Sequence, residues 1–398
     1  MQQRMLDGSA LERARQKKRR RRLRNAVILC LALTALFLNL TGLGGIYADR
    51  IGNIFETVRL RLYPGSGLPV ATEAEFSAQL ASLQDALVLA DDREVTVYST
   101  SGLLLRNLQH SYAKPCLSAG TNHFCIYNQG GKELRIEGRS RSYGTVTTHG
   151  NIWFAQMSKR DTLAVATQDE SYQAMVTVYA DNLDEMFSWC CASEYPVTAA
   201  FSPDSKQIAV CCISSSGGVC TDTVYVIDAK GEQAKTERNG NLILSIAWVA
   251  TDRLLVAYED AVVLYRPSTL EQVAYYPVEQ PLLCCDLQAR DGPVIVNGNV
   301  GSDSDIILTM LDKELSVQRR VEVDAAALPR DGSKMRWQCL QQSDTVWLLG
   351  NPQILGFSRD GGDDCVWSVS NQPIEMAAGQ RLYLLTAGEL TEYTQNGS

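Results

Sequence analysis

The feature that most constrains this chain is a phrase that returns about every 40 residues from Phe76 onward. Its first appearance reads A-L-V-L-A, a turn D-D-R, E-V-T-V-Y, a turn S-T-S-G, then L-L-L-R-N-L. The clearest copy is V-T-A-A-F-S-P-D-S-K-Q-I-A-V-C-C-I followed by D-T-V-Y-V-I-D-A-K-G-E-Q, and it recurs as I-L-S-I-A-W-V-A-T-D-R-L-L-V-A-Y-E-D-A-V-V-L-Y-R. Short apolar or alternating runs separated by Gly, Asp, Asn and Pro read as strands joined by tight turns. One four-stranded sheet cannot bury both its faces, whereas a ring of such sheets can. A period of about 40–45 residues with up to four strands per unit is the signature of a β-propeller.

The expected fold is therefore all-β, a seven- or eight-bladed β-propeller ectodomain, with eight preferred because eight units fit residues 76–398. A plain β-sandwich is the alternative, but it has no need of eight similar units. The first unit lacks an obvious inner strand and the last lacks an outer one. If the ends complete one shared blade the count is seven; if each is complete but irregular it is eight. Thr72 with Glu75 has capping-box spacing, which predicts a short helix within 72–84.

Upstream of the repeats the pattern is of another kind. Lys17, Lys18, Arg19, Arg20, Arg21, Arg22 and Arg24 crowd one stretch, and from Ala26 to Tyr47 no charge occurs. An uncharged stretch of that length, at about 1.5 Å per residue, spans roughly 33 Å as a helix, enough for a bilayer core. Before the span, ten Lys and Arg stand against Asp7 and Glu12, a charge of +8; with −8 overall, the remainder carries −16. Cationic flanks stay in the cytoplasm. The reading is one transmembrane signal anchor at 25–48, a cytoplasmic basic tail at 1–24, a juxtamembrane helix and linker at 49–75, and an extracytoplasmic propeller at 76–398. A cleaved signal peptide is the competing reading, but the apolar run is longer than usual and Ile46 spoils the nearest cleavage point. The basic tail is expected to meet anionic lipids. Ile51, Ile54, Phe55, Val58 and Leu62 recur at helical spacing, and Y-P-G-S-G-L-P at 63–69 breaks the helix.

The acidic remainder is poorly matched to nucleic acid, so no nucleic-acid partner is expected. Twelve cysteines occur, Cys30 within the span and eleven beyond it. C-x-x-C spacing is absent and the histidines are only His110, His123 and His149, so no zinc site is expected and no metal ligands are assigned. The cysteines read mostly as small buried apolar side chains. Hairpin disulfides such as Cys116–Cys125 or Cys212–Cys220 are the alternative. Members of the adjacent pairs should point to opposite faces of a strand.

Phe201-Ser202-Pro203-Asp204-Ser205-Lys206-Gln207-Ile208-Ala209-Val210 resembles the F-S-P-D-G-x-x-[IL]-A-[VF] phrase of TolB-type and other WD-like propellers. In that phrase Pro203 suits the second turn position and Asp204 caps the turn. Ser205 replaces the usual Gly, a departure expected to ask less of positive φ. The whole arrangement of basic tail, span and acidic repeats is similar to an uncharacterised bacterial family of single-pass, membrane-anchored, propeller-like proteins, known only as a domain of unknown function. The resemblance implies location and fold and brings no catalytic residues.

No nucleophile elbow, phosphate-binding loop, dinucleotide fingerprint or H-E-x-x-H occurs. No catalytic residue, cofactor or metal ligand is assigned. Asn297–Asp305 and Asp360–Asp364 are rich in oxygen but miss the calcium-loop pattern and read as turns. The six tryptophans read as packing between sheets rather than as a binding platform. The expected function is a protein-interaction scaffold or ligand sensor at the bacterial envelope, engaging an envelope protein or small ligand on a propeller face. The alternative is a surface enzyme of lactonase, lyase or hydrolase type. That reading needs carboxylates or His gathered at inner-strand ends around one channel mouth.

Protease added to intact cells is expected to digest residues 49–398 and leave 1–24 protected. Exchanging Lys17–Arg22 for Gln should reduce that protection, and immunoblotting of the two ends reads the outcome.

Overall fold

Each repeat closes into a four-stranded antiparallel sheet, and eight such sheets follow one another along the chain. The computed structural model describes residues 52, 56–60, 62–299, 306–323, 336–350 and 353–393. The basic tail and the expected span at 25–48 lie outside these residues. Among the described residues no helix is long and apolar enough to cross a membrane. Residues 56–60 are helical, within the stretch expected to be so.

The fold is an eight-bladed β-propeller. The inner strands, in order, are Gln79–Ser82, Pro115–Ala119, Ile152–Met157, Tyr195–Phe201, Ile243–Ala250, Leu282–Asp286, Cys339–Gln342 and Pro373–Ala378. Burial follows position within a blade. Second strands such as Ala86–Ala90 and Leu382–Thr386 are buried throughout, being covered by a blade on each face. Outer strands such as Gly231–Asn239 alternate between half-buried and exposed. Alternate residues of one strand therefore feed different seams. Cys211 packs toward blade 5 with Trp248 and Tyr258, and Cys212 toward blade 3 with Ala164 and Val176. Adjacent cysteines do point to opposite faces, and most of the described ones are buried or half-buried.

The ring closes in a way the repeats did not reveal. Val70–Ala71 pairs with Glu389–Glu392 and supplies the outer strand of blade 8. Blade 1 nonetheless has its own four strands, so the ends interlock and the count is still eight. The propeller thus takes in residues upstream of 76. The helix expected within 72–84 does not form: a single turn, Ala78 N–H to Glu75 C=O at 3.0 Å, leads into the inner strand of blade 1. The alternation Leu80, Ser82 was too short to register as a strand by itself.

The Pro-Gly segment before the ring is bound to it. Gly65 N–H donates to Ser101 Oγ at 3.1 Å, and Gly67 N–H to the Ser101 carbonyl at 3.0 Å. A Cβ on Gly102, whose φ is +76, would lie 2.3 Å from the Gly67 carbonyl oxygen. Both the close approach and the left-handed backbone require glycine there.

An inner strand lacks a strand partner on the channel side, and its edge groups need other partners. Neighbouring blades supply them. Gln79 accepts from Leu117 N–H at 3.0 Å and donates to the Pro115 carbonyl at 2.8 Å. Ser118 Oγ accepts from Met157 N–H, and Asp286 from Gln341 N–H. Gln338 brackets Met376 in both directions, and Glu375 accepts from Leu80 N–H at 2.7 Å, joining blade 8 to blade 1. The first turn of each blade adds a second tier. Asp161 Oδ1 accepts from the amides of Thr121, Asn122 and His123 at 2.8, 3.0 and 3.1 Å, tying blade 3 to blade 2.

The proposed hairpin disulfides are excluded by register. Cys125 lies opposite Ser118, two places from Cys116. Cys220 lies opposite Ser215, three places from Cys212. At about 3.4 Å per residue these offsets exceed what a disulfide bridges, a Cα separation of about 4.4–6.8 Å. Ser205 gives a second correction. Its φ is +57, so the turn keeps the left-handed backbone of the usual Gly. Ser205 Oγ donates to Ser158 Oγ at 3.0 Å, a contact Gly could not make.

Asp161→Ala is expected to destabilise the propeller by about 3 kcal/mol, since several buried amides lose their acceptor. A Cβ on Gly120 would meet Asp161 Oδ1 at 2.3 Å, so Gly120→Ala should cost about 1–3 kcal/mol through overpacking. Denaturant unfolding measures both. Asp222, buried on the third strand of blade 4, has its carboxyl pushed up to about 6, first by burial and then by Glu259, with Arg238 pulling down. Its folded pKa exceeds the unfolded value near 3.9, so its contribution is greatest below about pH 4 and is lost as pH rises through 6. Asp222→Asn should therefore raise the melting temperature at pH 7.5 and flatten its dependence between pH 4 and 6.5.

Candidate functional site

Residues from five successive blades, 2 to 6, converge on one cavity of about 700 Å³. Only the axial region of a ring brings so many blades together, so the cavity is the channel mouth at the inner-strand C-terminal ends. Its wall includes Met157, Ala200, Phe201, Ile246 and Leu255. The size lies within the range of about 300–1,000 Å³ usual for ligand pockets.

The charge at this mouth opposes that of the chain. Lys159, Arg253, Arg290 and Lys313 line it, and among the described residues no carboxylate does. Arg253 is engaged by Glu314 at 2.5 Å and donates to the Lys313 carbonyl at 3.2 Å. Among the described residues Lys159, Arg290 and Lys313 form no ion pair within 4.0 Å. Trp248 also lines the cavity, is 6% exposed, and its buried Nε1 has no acceptor among the described residues. Cations around a partly apolar cavity have the chemistry to meet a carboxylate or another oxyanion.

The wall is held in place from behind. Arg359, 7% exposed, donates to the carbonyls of Leu311 and Gly292 at 2.7 and 2.5 Å and to Gln318. Burial lowers its pKa, while Asp291 and Asp286 raise it. The turn that carries Arg290 and Gly292 is thus pinned to blade 7.

The sequence motif falls at the same mouth. Phe201, Ser202 and Pro203 line the cavity. Ser205 N–H closes on the Ser202 carbonyl at 2.8 Å with Pro203 at the second turn position. The Ser202 hydroxyl donates to Asp204 Oδ1 at 2.8 Å and, with Lys206 N–H, holds that carboxyl below its usual range. Phe201 to Pro203 therefore form part of the wall, and Asp204 holds their turn from outside it. The cationic residues were missed because each sits beside an acid in a turn (S-K-R-D, T-D-R, A-R-D-G, D-K-E) and reads there as ordinary turn polarity.

The other candidates have structural employment. Inner-strand carboxylates Asp286 and Glu375 accept neighbouring backbone amides, as above. His123 is buried against Tyr143, and His110 lies at the outer edge of blade 1 against Tyr112. Asp364 in the acidic turn at 360–364 takes a two-pronged ion pair from Arg319 at 2.7 and 2.8 Å. Asn297–Asp305 falls partly outside the described residues. The tryptophans pack against seams: Trp153 and Trp189 between blades 3 and 4, Trp347 and Trp367 between 7 and 8. A second cavity, of about 600 Å³, lies at the closing seam and is lined by Glu73, Glu75, Asp91, Asp92, Glu94 and His110. Asp91 there caps its own turn, accepting from the amides of Arg93 and Glu94.

The sequence profile of DUF5711, a family of unknown function, matches residues 67–282. No curated protein matches the sequence. Among solved structures the chain is similar to Sqt1 of Saccharomyces cerevisiae, at 10% identity and a TM-score of 0.60, over 82% of this chain and 98% of that one. BamB of Moraxella catarrhalis is similar at 10% identity and a TM-score of 0.53, over 82% and 100%. Apo AztD of Citrobacter koseri is similar at 11% identity and a TM-score of 0.54, over 75% and 88%. At these identities the likeness is one of fold.

Proposed function

The chain belongs to DUF5711, a family of unknown function, and we propose that it is a membrane-anchored interaction scaffold whose channel mouth receives an acidic segment of an envelope protein. The observation that carries this reading is the mouth itself: Lys159, Arg253, Arg290 and Lys313 with no lining carboxylate among the described residues, in a chain of net charge −8. Such local inversion of charge is a device for selecting and steering a partner of opposite sign.

The remaining parts of the proposal rest on the sequence. An N-terminal span at 25–48 anchors the chain in the bilayer, with the basic tail on anionic lipids in the cytoplasm and the propeller outside. The enzyme reading calls for His or carboxylates at a channel mouth, and this mouth offers cations instead.

Purified full-length protein in detergent is expected to bind an oligoglutamate peptide, with affinity falling steeply as salt rises. Changing Lys159, Arg290 and Lys313 together to Gln should weaken binding at least tenfold while leaving the unfolding midpoint nearly unchanged. Absence of binding at low salt, or binding indifferent to the triple change, would refute the mouth as the contact surface. Fluorescence anisotropy of a labelled peptide supplies the measurement.

A further inference from the structure

Away from the channel, the seam between blades 3 and 4 gathers two thiols and a carboxylate. Cys191 ends the outer strand of blade 3 (Glu185–Cys191), Glu194 follows in the connection, and Cys212 lies on the second strand of blade 4 (Ile208–Ser216). Cys191 is 2% exposed and Cys212 is fully buried. Their sulfurs are 4.0 Å apart, and Cys191 Sγ is 3.9 Å from Glu194 Oε2. One ligand atom from each of the three residues lies within 4.8 Å of the others.

We propose that Cys191, Glu194 and Cys212 form a zinc site that joins blade 3 to blade 4. A tetrahedral zinc with sulfur at about 2.3 Å and oxygen at about 2.0 Å has ligand–ligand edges of roughly 3.5–3.8 Å. The two spacings from Cys191 exceed this by only a few tenths of an ångström, and Cys212 and Glu194 lie within 4.8 Å of each other. The carboxylate is oriented from behind, as metal ligands usually are. Thr223 Oγ1 donates to Glu194 Oε1 at 2.9 Å, and the Tyr225 hydroxyl to Oε2 at 2.5 Å. These two residues share the third strand of blade 4, so the orientation belongs to the fold.

The alternative occupant of such a pair is a disulfide, and the carboxylate argues against it. A disulfide gains nothing from Glu194. A cation between thiolate and carboxylate turns their repulsion into ligation. Lys235 lies over the Tyr225 ring at 5.1 Å, pairs with Glu237 at 2.7 Å and feels Glu194 only at a distance. Thiolate with carboxylate suits zinc better than copper(I), which takes sulfur alone, or calcium, which takes oxygen. Three protein ligands leave the fourth position to water.

The site is tested on full-length protein, reduced and freed of metal, by titration with Co²⁺ and then Zn²⁺. One equivalent of Co²⁺ should give thiolate-to-cobalt charge-transfer absorption, and Zn²⁺ should abolish it. Cys191→Ser, Cys212→Ser and Glu194→Gln should each weaken binding at least tenfold, and Tyr225→Phe about tenfold. Cys284→Ser with Cys339→Ser, a change at the other close cysteine pair, should leave binding unchanged. A readout needing no substitution is alkylation of the wild type in mild denaturant, which opens these buried thiols: Zn²⁺ should slow the modification of Cys191 and Cys212, as peptide mass spectrometry shows. The proposal is overturned if reduced protein takes up no metal, if Zn²⁺ leaves both thiols open to alkylation, or if Glu194→Gln binds as the wild type does.

Discussion

The structure depends on what satisfies the open edge of each inner strand. A ring of blades turns eight such edges toward one axis, where backbone donors and acceptors find no further strand. Side chains of the adjacent blade take that place. Gln79, Ser118, Asp286, Gln338 and Glu375 each reach across a seam to a backbone group of the next inner strand. These bonds do two things at once: they stabilise the edge and fix the rotation between blades. A buried carboxylate serves well here because amide donors to an anion make strong bonds. The cost is visible in Glu375 and Asp286, whose pKa values burial raises despite those bonds.

The arc carrying these clamps runs from blade 6 through blade 8 to blade 3. The cavity opens along the complementary arc, where the inner strands of blades 3, 4 and 5 expose Met157, Ala200 and Ile246 to it. Closure and the cavity are thereby placed on different arcs of the ring. One side of the channel is occupied by polar cross-links, while the other keeps small apolar side chains and a rim of cations. Ring closure falls on the clamped side, where Glu375 meets Leu80 and Val70–Ala71 completes blade 8.

Much of the fold was legible because strand alternation and turn residues repeat, and repetition averages out local ambiguity. The third and fourth strands of blade 1, E-V-T-V-Y and L-L-L-R-N-L, and the S-P-D turn of blade 4 stand where the pattern places them. The ends were illegible for the same reason. Val70–Ala71 is a two-residue strand that exists only because Leu390 lies opposite it. Gln79–Ser82 is held by Glu375, nearly 300 positions away. Thr72 and Glu75 carry a local helix signal, and closure overrode it. The Ser205 backbone follows the turn geometry rather than the residue, since its hydroxyl gains Ser158 in exchange for a left-handed φ.

The sites were less legible than the fold, and for one physical reason. The channel mouth and the thiol cluster are both assembled from residues that meet only when blades stack. Lys159, Arg253 and Arg290 lie at the first turns of blades 3, 5 and 6, and each is masked in sequence by a nearby acid. Cys191 and Cys212 are 21 positions apart and lack metal spacing. Each is half of an adjacent pair whose other member faces elsewhere. In a strand that doubling places one thiol on each face, so a C-C pair guarantees that one sulfur reaches a given seam. Period-two geometry, rather than a linear motif, is what brings a thiol from blade 3 to a thiol from blade 4.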